Sequence, residues 1–359
     1  MNQLYADIIN NTHSEDSITS LGEWLAFWLE TYSKPVVRHS TFICYETYIR
    51  GHIIPEIGTI KLKALSSDIF QKFFNEKSSA GRLDKQGGGL SAKTIRNIRN
   101  MLHLAIDQAI ANELLSKNFI EKIKLQRGMK KEIRILSMAE QRTLEEACNA
   151  SIELIPKGII IMLGTGMRIG ELLALRWSDV NMEDESIVIR NSLRRQNCVQ
   201  DINRNDYIIL SEKKENKTAL MIGRVKTTKG NRTIYMTQHV FAALRSIRCY
   251  QDNMKQIAGS KSNKMDFLFC TASGAATDAR YYQKVFKRFL VKAGVSQTNI
   301  HSLRHAFATR ALECNFDLNS LADILGHAAP STTLNMYGHS SNTHKRMLMA
   351  SLGHTTNPT

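Results

Sequence analysis

The chain has no run of ~20 apolar residues, so no transmembrane helix is expected. Its start, MNQLYADIINNTHSEDS, has neither a basic opening nor an apolar core and does not read as a signal peptide. The six cysteines (Cys44, Cys148, Cys198, Cys249, Cys270, Cys314) are scattered and form no Cys-x-x-Cys pair. They read as reduced, mostly buried small hydrophobes of a cytosolic protein. No Gly-Lys-Ser/Thr follows the glycine-rich 86–89 stretch, so a phosphate-cradling nucleotide loop is missing. There is no internal repeat and no low-complexity tract. Acidic residues are the scarce charge: 33 Asp and Glu face 48 Lys and Arg, a formal +15. That surplus points to a polyanionic partner, nucleic acid before anionic membrane. What is present is 43% hydrophobic residue in 359 positions, enough for two domains with sizeable cores.

Residues 1–17 are polar and expected to be disordered. Ser20-Leu21-Gly22-Glu23 is a capping-box pattern opening a helix whose apolar stripe is Trp24, Leu25, Trp28 and Leu29. A second helix is expected from Ser40, with Phe42, Tyr45, Tyr48 and Ile49, ending by Pro55 before a turn at Gly58. Ser66 or Ser67 caps a third. After a flexible connection at 78–89, Ser91 opens a long helix with Ile95, Ile98, Met101 and Leu102 on one side and Lys93, Arg96 and Arg99 on the other. A short helix is expected around 116–121. Residues 18–122 therefore read as an all-helical domain. The stretch 123–136, with Lys130, Lys131 and Arg134, is a basic linker, readable as a solvated tether or as a strap along phosphates.

A second capping box, Ser137-Met138-Ala139-Glu140, starts the next domain, 137–352. Two helices follow, the second ending at Gly164-Thr165-Gly166, and Arg168 begins another. Strands are expected at 186–190, 207–210, 219–222 and 233–236, forming a small sheet with an insertion-like polar stretch at 194–217. Helices are expected at 238–257, 278–293, 302–313, 318–325 and 331–337. A tail helix at 342–351 and a disordered end, 353–359, complete the chain. The class is mainly α with a small antiparallel β-sheet (α+β).

The chemistry concentrates near the C-terminus. Between 301 and 337 the chain sets out His301, Arg304, His305, His327 and Tyr337. Phosphoryl transfer to a tyrosine needs this set: a hydroxyl to attack phosphorus, a guanidinium for the phosphate oxygens and imidazoles for protons. On a helix, 301, 304 and 305 share one face. His301 and His305 at i, i+4 could form a metal pair, but no His-Glu-x-x-His is present and the intervening arginine would repel a divalent cation. A phosphate site without metal is preferred, and His305 reads as support. Upstream, Arg168 follows Gly164-Thr165-Gly166 at a helix start suited to anion binding, with Glu171 placed to brace it. The dense cations of 226–232 read as a hairpin tip, with Lys226 at the strand edge and Lys229 and Arg232 in a solvated turn.

The segments 164–177 (GTGMRIGELLALRW), Lys226-Thr227, 301–309 (HSLRHAFAT), Leu325-Gly326-His327 and 331–339 (STTLNMYGH) together resemble the signature boxes of the tyrosine recombinase, or phage integrase, family. The likeness covers about 137–350. A weaker pattern (Tyr45-Glu46-Thr47-Tyr48, Ile54-Pro55-Glu56-Ile57-Gly58) makes 18–122 similar to that family's helical, SAM-like core-binding domain. The resemblance implies that Tyr337 forms a 3′-phosphotyrosyl link to DNA. Arg168 and Arg304 would hold the non-bridging oxygens. His301 and His327 would donate hydrogen bonds, His301 also taking the tyrosine proton, and Lys226 would protonate the leaving 5′-oxygen. Tyrosine, with an ordinary pKa near ~10, needs a base or nearby cations to attack at neutral pH. Two fixed guanidiniums can neutralise the transition state without a metal, each contact contributing ~3 kcal/mol or more. The phosphotyrosine ester conserves the bond energy, so neither ATP nor another cofactor is required.

The resemblance further implies a C-shaped clamp on duplex DNA bearing specific recombination sites, and a tetramer exchanging strands through a Holliday junction. It implies a cytoplasmic, nucleoid-associated protein that meets no membrane and has room for DNA-bending or directionality accessory proteins. The 342–351 helix would dock on a neighbouring protomer or cover its own core. Tentative DNA contacts are Lys93, Arg96, Arg99, Lys130, Lys131 and Arg134. Only about 18 residues precede the helical domain, leaving little room for a further arm-binding domain. Two other readings compete. A monomeric type IB topoisomerase would relax supercoiled DNA without a specific site. A catalytically silent DNA-binding regulator would bind tightly without covalent adducts.

Overall fold

The computed structural model describes residues 20–84, 86–126, 128, 134–197, 207–213, 218–225, 228–258, 266–271, 274–327 and 331. The chain divides into two compact units, Met1–Lys131 and Glu132–Thr359, each with its own apolar core. That division falls within the stretch read as a linker. Ile123 and Leu125 pack into the first core. The expected disordered ends and the helices at 331–337 and 342–351 lie outside the described residues, save Ser331.

The first unit is helical because its start signals are met. α1 (Leu21–Trp28) has the expected capping box: Ser20 Oγ accepts from the Glu23 N–H, and the Glu23 carboxylate accepts from the Ser20 N–H. α2 (His39–Tyr48) runs on through a wider turn into the short α3 (Ile54–Ile57), which stops at Gly58. Ser66 caps α4 (Ser67–Ala80), and Ser91 caps α5 (Ala92–Ala111). The buried Trp24 ring donates from Nε1 to Ala105 O at 2.9 Å, which ties α1 to α5. The helix expected at 116–121 is absent; the segment forms turns. Asn118 explains this: its Oδ1 accepts from the Ile120 N–H at 2.9 Å and its Nδ2 donates to Asp107, so side-chain bonds take the place of helical ones.

The second unit is built around α7 (Leu154–Thr165), which is apolar on all sides and enclosed accordingly. α6 (Met138–Ala150), α9 (Gln238–Ala258), α10 (Ala279–Lys292) and α11 (His301–Glu313) pack on it. α8 (Ile169–Ala174) and α12 (Leu318–Leu325) complete the described α-helices of this unit. α10 approaches α7 closely at Gly158, where an added Cβ would lie 2.4 Å from Tyr282 Oη; that hydroxyl donates to Ile155 O at 3.0 Å.

The strands form two antiparallel sheets rather than the single sheet expected. One has the order β1 (Val180–Asn181), β2 (Ser186–Ile189), β6 (Arg232–Tyr235), with Ile187 opposite Val180 and Ile234. The other has the order β3 (Asn191–Asn197), β5 (Thr218–Arg224), β4 (Tyr207–Lys213), with Leu193 and Ile208 opposite Ile222. Residues 194–197 and 207–213 of the stretch read as a polar insertion therefore belong to strands that flank β5, whose residues are buried from Thr218 to Gly223. Polar residues can do this because their charges are partnered. Arg195 pairs with Asp278 at 2.5 Å, and the Arg194 guanidinium lies 4.7 Å from the centre of the Tyr207 ring. β5 and β6 belong to different sheets, so 226–232 is a link between sheets and not a hairpin tip.

Gly158→Ala is expected to destabilise the second unit by about 1–3 kcal/mol through overpacking against Tyr282. Urea denaturation followed by circular dichroism measures it as a lowered midpoint, with the slope unchanged.

Candidate active site

Two glycines end the helices that frame the site. α7 terminates at Gly166, whose φ of +64° favours glycine. A Cβ there would also meet Phe307 at 2.4 Å and Leu325 at 2.8 Å. The chain then extends through Met167 to Arg168, which caps α8. The Arg168 N–H donates to Glu171 Oε2 at 2.9 Å and its Nη1 donates to Glu171 Oε1 at 2.8 Å. Glu171 is 3% exposed, while 42% of the Arg168 side chain remains exposed. α12 ends at Gly326, with φ +66°, and its last turn is closed by the His327 N–H donating to Ala322 O.

Guanidiniums hold these helix ends together. Arg304, on α11 and 1% exposed, donates from Nη1 to Gly166 O and from Nη2 to Leu325 O, both at 2.8 Å. Cations favour the C-terminal carbonyls of helices, where unpaired acceptors and the helix dipole coincide. Arg304 Nη2 also lies 2.7 Å from His327 Nε2. A guanidinium can only donate, so Nε2 is the acceptor and the His327 proton resides on Nδ1. Arg168 Nη1 reaches Leu325 O at 3.5 Å.

Arg232 completes the arrangement. Expected in a solvated turn, its side chain is instead 6% exposed. Nη2 donates to Glu171 Oε2 at 2.8 Å, Nε to Ile324 O at 2.5 Å and Nη1 to Gly230 O at 3.1 Å. The strand period carried the signal: Arg232 stands two positions before the buried Ile234 on β6 and so shares its inward face.

The electrostatics follow from this crowding. Burial works against ionisation of Glu171, but Arg232 and Arg168 outweigh it and hold its carboxyl below the usual range. Burial, then the charges of Arg304, Arg168 and Arg232, push His327 down to about 4. His305, buried on α11, is also pushed down to about 4, by burial first and then by His301 and Arg304. Its ring meets that of His301 edge-on at 4.8 Å between centres. His301 lies at the exposed side, yet packing about its ring, Arg304 and Arg168 lower it as well. The described cluster thus combines three guanidiniums, one carboxylate and neutral imidazoles, an arrangement suited to a doubly charged anionic transition state. Among the described residues no group of three or more His, Cys, Asp or Glu side chains could hold a metal ion.

The other expected site residues are placed as follows. Lys226, Tyr337, Lys130 and Lys131 lie outside the described residues. Lys93 and Arg96 are exposed on α5, whereas Arg99 donates to Ile120 O at 3.4 Å within the first unit. Arg134 is committed to the fold of the second unit, against its reading as a phosphate strap. Its Nη1 donates to Ser296 O at 3.0 Å and Gln297 O at 3.3 Å, and its Nη2 pairs with Glu140.

These depressed histidines make stability pH-dependent. Above pH ~6.5 His305 and His327 are neutral whether the chain is folded or not. As pH falls from there towards 4, the unfolded chain takes up protons that the folded site refuses, so stability is lost over that window. At pH 5 the expected loss is on the order of 1–2 kcal/mol for each ring. His305→Asn should therefore show a smaller drop in urea midpoint between pH 7.5 and pH 5 than the parent protein.

Comparison with known proteins gives the family. Residues 133–344 match the phage integrase family, and residues 20–78 match the phage integrase N-terminal SAM-like domain. A tyrosine recombinase XerC-like protein of Caldanaerobacter subterraneus subsp. tengcongensis is 27% identical over 343 residues, 92% of this chain and 82% of that protein. An integrase of Saccharopolyspora erythraea is 21% identical over 350 residues, 88% of this chain and 78% of its own. In fold, the chain is similar to the Tn1549 transposon integrase solved with circular intermediate DNA, with a TM-score of 0.72 and 22% identity, over 93% of this chain and 99% of that one. It is also similar to lambda integrase solved as a tetramer on a Holliday junction, with a TM-score of 0.59 and 17% identity, over 89% and 78% of the two chains. The chain belongs to the phage integrase family of tyrosine recombinases, enzymes that break and rejoin DNA strands at specific sites.

Proposed function

We propose that this recombinase integrates or excises a mobile DNA element, using Tyr337 as nucleophile on the scissile phosphate. The observation that carries this reading is the convergence of Arg168, Arg304 and His327 at the end of α12, with His301 close enough to feel both guanidiniums. Arg168 and Arg304 take the non-bridging oxygens, whose charge grows as the tyrosine oxygen bonds to phosphorus. His301, neutral at pH 7, accepts the tyrosine proton, and His327 donates a hydrogen bond to the phosphate. Lys226 protonates the departing 5′-oxygen. Reversal of these steps with a new 5′-hydroxyl rejoins the strand.

The partner is double-stranded DNA carrying specific recombination sites, as the +15 formal charge supports. The solved relatives bound to circular intermediate DNA and, as a tetramer, to a Holliday junction support assembly of four protomers on two sites. With such a substrate the protein works in the cytoplasm at the nucleoid, with accessory proteins bending DNA or setting direction. Exposed Lys93 and Arg96 on α5 are the described cations of the first unit assigned to phosphate contact.

A suicide substrate, nicked beside the cleavage point, tests the nucleophile. The parent protein should become covalently attached to DNA, and Tyr337→Phe should bind the same DNA without forming an adduct. An adduct with Tyr337→Phe would overturn the assignment. The two arginines should separate in a second measurement. Arg168→Ala is expected to lower cleavage by about 100-fold or more and to lower the urea midpoint less than Arg304→Ala does, because its side chain is substantially exposed and Arg232 still partners the buried Glu171. Arg304→Ala should lower both, since it also holds two helix ends.

A further inference from the structure

Among the described residues, Arg232 is hydrogen-bonded to none of the groups assigned to phosphate or proton transfer, yet it contacts what positions them. Its Nη2 binds Glu171 Oε2 while Arg168 Nη1 occupies Oε1 of the same carboxylate. Its Nε binds Ile324 O, one residue before the Leu325 carbonyl that accepts from Arg304 and two before Gly326, which turns the chain into His327. The space beside Gly326 is shaped by it: an added Cβ there would stand 2.9 Å from Arg232 Nη1.

We infer that Arg232 is a positioning residue that sets the presentation of Arg168 and the seat of His327 through one guanidinium. Two physical effects carry this. Glu171 is 3% exposed, and a carboxylate so buried needs full compensation. With Arg232 sharing it, one oxygen suffices for Arg168, both of whose side-chain bonds among the described residues run through Nη1. Without Arg232, the whole carboxylate charge falls on Arg168 and draws its guanidinium inward, away from an incoming phosphate. At the same time the Ile324 carbonyl loses its cation, which frees the end of α12. The planar fork of arginine meets carboxylate and carbonyl at once; an ammonium on a flexible stem meets one of them.

The inference rests on the phosphate-clamp reading of Arg168, and the test separates the two. Strand cleavage is measured on two suicide substrates, one with a normal scissile phosphodiester and one with a methylphosphonate there. The methylphosphonate lacks the negative charge that the clamp neutralises. On the phosphodiester, Arg232→Ala is expected to cleave about 10–100-fold more slowly than the parent protein, a loss of the size seen when one charge-stabilising contact is removed. On the methylphosphonate its deficit relative to the parent should shrink about tenfold, as should that of Arg168→Ala, because the missing cation is no longer needed. Arg232→Lys should fall between parent and Ala and covers the case in which the Ala variant does not fold. Lys229→Ala, which breaks the exposed 3.3 Å pair with Asp323 made three residues before Arg232 to the same helix, should cleave like the parent.

The inference is overturned if the Arg232 variants cleave the phosphodiester within about threefold of the parent, below the effect of one such contact. It is also overturned if they are equally impaired on both substrates, or if Lys229→Ala matches Arg232→Ala. An Arg168→Ala protein that cleaves normally overturns the clamp reading instead.

Discussion

A single buried carboxylate organises the second unit. Glu171 lies almost wholly out of solvent, where an isolated charge would cost several kcal/mol. It is tolerated because Arg168 and Arg232 divide its two oxygens and the Arg168 N–H adds a third bond. Apolar residues of the same bulk could fill such a space with equal or better stability. What they could not do is hold two guanidiniums at fixed places beside a helix end. The ionic cluster is therefore better understood as a positioning device than as a source of folding energy.

The same economy governs the helix ends. Like charges as close as Arg168, Arg232 and Arg304 repel one another, so each must be held by something that is not the substrate. The C-terminal carbonyls of α7 and α12 serve that purpose, because helix ends present unpaired acceptors at the negative end of the dipole. Gly166 and Gly326 are required on two counts. Both adopt φ values that side chains disfavour; a Cβ on Gly166 would strike Phe307 of α11 and Leu325 of α12, and one on Gly326 would strike the Arg232 side chain and the Lys229 carbonyl. Fold and site share their contacts here.

Much of this was legible in the sequence, for reasons that differ residue by residue. The capping boxes at Ser20 and Ser137 are local, and local bonds form as written. The apolar stripe of α5 is periodic and long enough to leave no ambiguity. Arg168, Glu171, Arg304 and His327 stand out because their residue types recur with a family's spacing, although 159 positions separate the first from the last. Arg232 was hidden by its setting: in a polar stretch with Lys226, Lys229 and Asn231 just before it, composition says solvent and only the strand period says otherwise. The second sheet was hidden for a related reason. Arg194 and Arg195 look like loop residues until Tyr207 and Asp278, distant in sequence, are seen to receive them. The 116–121 segment failed in the opposite direction, because one asparagine side chain outbid the backbone for its own hydrogen bonds.

The crowding that gathers cations also decides how the imidazoles can behave. Three guanidiniums near His327 and two near His301 make a further positive charge unfavourable, so both rings stay neutral at pH 7. A neutral ring can accept a proton where an imidazolium cannot, which is what attack by a tyrosine demands. If His301 takes the tyrosine proton, as proposed, its lowered basicity is the accompanying penalty, since a weaker base removes the proton less readily. The fields that weaken the base also stabilise the tyrosinate and the phosphorane it forms, so the penalty is offset at the same site by the same charges. His327, its Nε2 engaged by Arg304, carries its proton on Nδ1, which agrees with the hydrogen-bonding role proposed for it. The division of labour proposed for the two histidines would then be set less by the rings themselves than by which of them Arg304 grips.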